Sequence, residues 1–122
     1  MWEYLLSVED ACDSLGHFET RFCLVGHSHV PLAFVCDESG SCSRLMVFDG
    51  VALSGGGGRW IVNPGGVGQP RDGDPRASYA MYDSETGALR HYRVQYDIAV
   101  TQRKMRKNGL PPSLSHRLGY GY

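Results

Sequence analysis

The chain has 122 residues, of which 42% are hydrophobic and 20% charged, a composition that fits a folded domain and excludes a disordered tail. Its net charge of −1 supplies no global field for nucleic acid or an anionic membrane. No apolar run approaches a membrane span, and the N-terminus lacks the basic-then-apolar order of a secretory signal, so a cytoplasmic location is expected.

Trp2, Leu5, Leu6, Cys12 and Leu15 recur at helical spacing, which predicts an amphipathic helix over residues 1–15. Residues 22–25 read as a buried strand. Gly26-His27-Ser28-His29 follows it directly. Neutral imidazole is the commonest protein metal ligand. A glycine at the strand end lets the two rings diverge, so that each could serve one ion of a close pair. Spacing alone leaves an ordinary turn open, with imidazoles capping backbone groups.

Pro31 opens a second apolar run, 32–36. Asp37-Glu38-Ser39-Gly40-Ser41 is turn chemistry, and 44–48 is its expected hairpin partner. Residues 55–58, all glycine, read as a hairpin tip and not a phosphate cradle, because Arg59-Trp60 lacks the Lys-Ser/Thr of a P-loop. Residues 60–62 form another strand. The stretch 63–76 is an irregular loop of about 14 residues, rich in Gly, Pro and Asp, a length that marks function or disorder. Its ordinary reading is a rigid connector; its functional reading puts Arg71 or Arg76 near an anionic substrate.

Residues 79–83 and 89–96 flank Ser84-Glu85-Thr86-Gly87, a hairpin signal. Leu89, His91, Arg93 and Gln95 share one face of the second strand, which is expected to be buried. Asp97 caps a helix over 98–107 that Asn108-Gly109 ends. The tail from Leu110 is expected to be an extended strap. Cys12, Cys23, Cys36 and Cys42 show no Cys-x-x-Cys spacing and read as reduced, mostly buried small hydrophobes. His17, His91 and His116 are isolated and read as surface or satisfied structural residues.

Three stretches resemble the calcineurin-like metallophosphoesterase family. Val25-Gly26-His27-Ser28-His29-Val30-Pro31 is similar to its Gly-His-x-His motif after a strand. Residues 61–80 resemble the Asn-Pro-Gly-Ser-Val-Gly-Gln-Pro-Arg segment of one branch, with Gly66 where serine is usual. Trp2-Glu3-Tyr4-Leu5 is similar to the segment after that branch's His-Gly motif. The resemblance is to the C-terminal half. The Asp-x-His, Gly-Asp-x-x-Asp, Gly-Asn-His and later His motifs, which precede Gly-His-x-His in the family, have no counterpart here.

The resemblance implies an α/β fold, a four-layer α-β-β-α sandwich of the metallophosphoesterase type. Residues 1–122 would be the C-terminal part of one such domain, supplying mainly its C-terminal sheet and flanking helices, with the N-terminal metal-binding half absent. It further implies hydrolysis of a phosphate ester by two divalent ions (Mn, Fe, Zn or similar). His27 would ligate the second ion and His29 the first. A catalytic metal takes about three protein ligands, so inactivity is expected unless an N-terminal half or a second copy completes the site. The alternative is a non-catalytic binding or structural module. Either way, the missing half implies an exposed sheet edge or apolar face that drives association.

Overall fold

The computed structural model describes residues 4–54 and 57–122. Helix α1, Val8–Ser14, leads through a 3-10 turn, Leu15–His17, to strand β1, Phe22–Leu24. Strands β2 (Pro31–Cys36), β3 (Cys42–Leu45), β4 (Ala52–Leu53), β5 (Arg59–Pro64), β6 (Ala77–Asp83) and β7 (Ala88–Val94) follow. Helices α2, Ile98–Lys107, and α3, Pro112–His116, with a 3-10 turn Arg117–Gly119, complete the chain.

The strands form a four-stranded sheet in the order β1-β5-β2-β3 and a three-stranded sheet in the order β4-β7-β6. Strand β1 runs parallel to β5, and all other pairs are antiparallel. Alternation along β2 and β5 builds two cores. Ala33, Trp60 and Val62 face the second sheet and meet Leu53 and Leu89. Leu32, Phe34 and Ile61 face the other way and meet Ala11 of α1. Burial on both faces explains why β2 reads as a continuous apolar run and not an alternating one. The layers are therefore α1, the first sheet and the second sheet.

Helix α1 starts later than its periodicity suggests. Ser7 and Asp10 form a capping box that sets its first turn, so residues 4–7 stand outside it. Residues 1–3 of the expected helix, and Gly55 and Gly56 of the glycine tip, lie outside the described residues. Strand β1 is only half-buried, with Leu24 at 59% exposure, because it is the outermost strand and pairs with β5 alone. The tail is not an extended strap. Pro112 sits at a helix N-terminus, where its missing N–H costs nothing, and starts α3. Helix α2 follows expectation, with Asp97 accepting from Val100 N and Gly109 in the left-handed region.

The cysteine reading is corrected in part. Strands β2 and β3 pair with Cys36 opposite Cys42, and the two form a disulfide. Cys12 and Cys23 are free, and burial pushes the Cys23 thiol up. The bridge closes a short loop across a sequence separation of 6, so it restricts the unfolded chain by only about 2 kcal/mol. Adding a reductant should therefore lower the thermal midpoint by several degrees without unfolding the protein. Loss of the cooperative transition on reduction would show that the hairpin depends on the bridge.

Candidate metal centre

The two histidines of Gly26-His27-Ser28-His29 lie in the connection from β1 to β2. Both sit in the left-handed backbone region, His27 at φ 76° and His29 at φ 60°. For a residue with a β-carbon this costs ~1–2 kcal/mol and persists only where the surroundings impose it. Those surroundings are visible. Asn63, at the end of β5 and 2% exposed, donates from Nδ2 to Gly26 O and to Ser28 Oγ, both at 2.9 Å. Its Oδ1 accepts from Gly65 N at 3.0 Å. Ser28, itself buried, also accepts from Val30 N at 3.3 Å.

His29 is gripped by the loop that follows β5. Its Nδ1 lies 2.7 Å from Gln69 O. Its own carbonyl accepts from Arg71 N at 3.3 Å. Gly66 lies beside the His29 ring, where an added β-carbon would stand 3.5 Å from it. His27 is held differently. Its exposed ring stacks on Tyr4, with centroids 4.3 Å apart and planes 16° from parallel. A cleft of about 480 Å³ opens there, lined by Tyr4, Leu5, Asp13, His17, Val25 and His27 among others.

The loop 63–76 is thus a built support for His29 at its first half. Its second half is a salt-bridged clasp. Arg76 bonds Asp74 at 2.7 Å and Asp49 at 3.0 Å. Arg93, its side chain 5% exposed, pairs with Asp72. Hydrogen bonding from the Arg76 side chain holds the Asp74 carboxyl below the ordinary carboxylate range. The Arg93 backbone N–H does the same for Asp49. Gly73 N donates to Gly121 O at 3.0 Å, which docks the C-terminal turn on the loop.

The structure therefore places the Arg71 backbone against His29, leaves His27 on the Tyr4 side of the turn, and places the Arg76 guanidinium in a carboxylate cluster. The Arg71 side chain reaches toward Gln69 Oε1 at 3.5 Å, and its Nε is buried without a partner. Sequence reasoning missed Tyr4, Ser28 and Gln69 as supports. His91, read as isolated, is fully buried and satisfied.

The donor chemistry fits a transition-metal ligand role for His29, since a carbonyl on Nδ1 leaves Nε2 bare. Among the described residues no group of three or more His, Cys, Asp or Glu side chains could hold a metal ion.

Residues 4–87 match the calcineurin-like phosphoesterase superfamily domain. An uncharacterized protein of Methanocaldococcus jannaschii, MJ0912, is 38% identical over 121 residues, covering 99% of this chain and 46% of that protein. The crystal structure of a metallophosphoesterase from Sphaerobacter thermophilus superposes with a TM-score of 0.91 at 46% identity, covering 100% of this chain and 52% of that one. The chain spans about half the length of both relatives. No helix among the described residues is long and apolar enough to cross a membrane.

Proposed function

The chain belongs to the calcineurin-like phosphoesterase superfamily, and from that premise we propose that it is the C-terminal portion of a metal-dependent phosphoesterase. The observation that carries this reading is the His29 ring, fixed through Nδ1 by a backbone carbonyl with Nε2 left for a metal. In this reading His27 and His29 are one ligand each of two divalent ions. When bound, such ions would supply an activated water and charge stabilisation for a phosphate ester, with His27 and His29 as the ligands this chain contributes. The chain's own residues hold and aim the two imidazoles. Arg71 is the residue we place near the phosphate, since its backbone is bonded to His29. Arg76 already spends its guanidinium on Asp74 and Asp49.

The remaining ligands would come from an upstream half or a second copy. Two observations support that. The relatives are about twice as long. The outermost strand β1 leaves one edge unpaired, with Leu24 exposed beside it. A free edge of this kind is a template for another strand. The non-catalytic reading is favoured for the isolated chain by the lack of a third donor among the described residues.

The test is manganese-dependent hydrolysis of bis-p-nitrophenyl phosphate. The purified chain alone should show none. Joined to the upstream half of the Sphaerobacter relative, it should turn over, and His27→Ala should abolish that turnover. A folded, metal-loaded fusion with no hydrolysis of this diester or of p-nitrophenyl phosphate would sink the enzymatic reading.

A further inference from the structure

We propose that Asn63 and the Gln69 carbonyl are positioning groups that set the two imidazoles in ligand geometry before any metal arrives. The inference rests on the reading of His27 and His29 as metal ligands. It names what holds them.

Two strained histidines on either side of Ser28 need a cause. Asn63 supplies one that few other side chains could. Its amide uses both hydrogens and its oxygen at once: Gly26 O and Ser28 Oγ on one side, Gly65 N–H on the other. The amide orientation is fixed by these partners. Flipped, its oxygen would face the Gly26 carbonyl and its NH₂ would face an N–H. The bonds land on the residue before His27 and on the residue between the two histidines. They also tie that turn to the start of the loop that carries Gln69. Aspartate cannot donate these bonds, and an aliphatic residue would leave Gly26 O and Gly65 N–H without this partner.

Gln69 acts through its backbone. A carbonyl oxygen only accepts, so at 2.7 Å it requires a hydrogen on His29 Nδ1. Neutral imidazole has one such hydrogen, and Nε2 is then a bare lone pair. His29 is thereby set in tautomer and in direction. His27 is set by the turn and by stacking on Tyr4.

The test needs neither metal nor turnover. Long-range ¹H–¹⁵N spectra of the histidine rings are recorded on the full chain, metal-free, above the pH of imidazole protonation. His29 is expected wholly as the Nδ1–H form. In Asn63→Ala, His29 is expected to move toward the mixed tautomers of free histidine. Ser28→Ala removes one of the three Asn63 bonds and stays informative if Asn63→Ala does not fold; it should move His29 the same way. A wild-type His29 in the Nε2–H form would overturn the role of Gln69. Folded variants with wild-type tautomers would overturn the role of Asn63, because a merely structural residue lowers stability and leaves the tautomer alone. Wild-type tautomers in the folded variants leave the phosphoesterase reading intact, and an inactive fusion with His29 in the Nδ1–H form removes that reading alone.

Discussion

Gly65→Ala is expected to destabilise the protein by ~2–5 kcal/mol, a large share of the 5–15 kcal/mol that a domain commonly has. Two costs combine. Gly65 sits at φ +85°, a conformation that a β-carbon disfavours. The new β-carbon would also stand 2.7 Å from Ser78 Oγ and 3.3 Å from Pro31 Cδ. Neither neighbour can step aside easily. Ser78 is buried and donates to Pro64 O, and Pro31 is paired opposite Pro64 in the β2–β5 ladder. Equilibrium urea unfolding of the wild type and Gly65→Ala measures the difference. A loss under 1 kcal/mol would mean that the loop after β5 relaxes freely. It would also weaken the case that this loop rigidly supports His29. Gly66→Ala is the matched control, because its β-carbon meets the His29 ring only at ordinary contact distance.

The contrast between these two adjacent glycines shows where sequence reading reaches and where it stops. Gly65 and Gly66 look alike in the string Asn63-Pro64-Gly65-Gly66, yet one is a conformational requirement and the other a contact surface. Local signals were legible. Helix α2 carries its cap at Asp97 and its stop at Asn108-Gly109, so its limits follow from neighbours in sequence. The β6–β7 hairpin and the buried face of Leu89, His91 and Arg93 follow from alternation across a turn. Only Gln95 of that set falls outside, exposed past the end of β7. Long-range pairing was not legible. That β1 lies parallel to β5, with β5 inserted before β2, depends on a crossover that no local pattern encodes. The Cys36–Cys42 bridge follows from the β2–β3 register, which begins two residues earlier on the return strand than the apolar run suggested.

The same division runs through the candidate site. His27 and His29 announce themselves by residue type. The Gln69 carbonyl cannot, because every residue has one, and only the path of the loop brings this one to His29. Asn63 reads in the sequence only as the first residue of the 63–76 loop. Its bonds across 37 and 35 residues to Gly26 and Ser28 appear only once β1 and β5 are side by side. The fold relation is therefore functional as well as architectural. Parallel pairing of β1 with β5 places the histidine turn and its supporting loop at the same end of the sheet.

His91→Ala is expected to cost ~3 kcal/mol or more, from the cavity left by a buried ring and from stranded hydrogen-bond partners. The His91 ring spans the second sheet and the loop after β5. Its Nε2 lies 2.7 Å from Ser78 Oγ, and its Nδ1 lies 3.2 Å from Phe48 O. Ser78 Oγ also lies 2.5 Å from Pro64 O. Burial lowers the His91 pKa, with the Phe48 carbonyl acting in the opposite direction and Arg93 and Asp49 as its charged neighbours. A lowered histidine pKa has a definite sign in stability. The unfolded chain takes up a proton first as pH falls through about 6.5, so the folded state loses ground from there down to its own lower pKa. One proton limits that loss to ~1.4 kcal/mol per pH unit. His91→Ala has no such group, so the stability gap between wild type and variant should narrow on acidification. A gap that stays constant or widens between pH 7 and pH 5 would show that His91 is not held neutral. Because Ser78 links this ring to the Pro64 carbonyl, loss of the ring is expected to loosen the loop that supports His29. The Nδ1–H signal of His29 should therefore be less persistent in His91→Ala than in the wild type at the same pH.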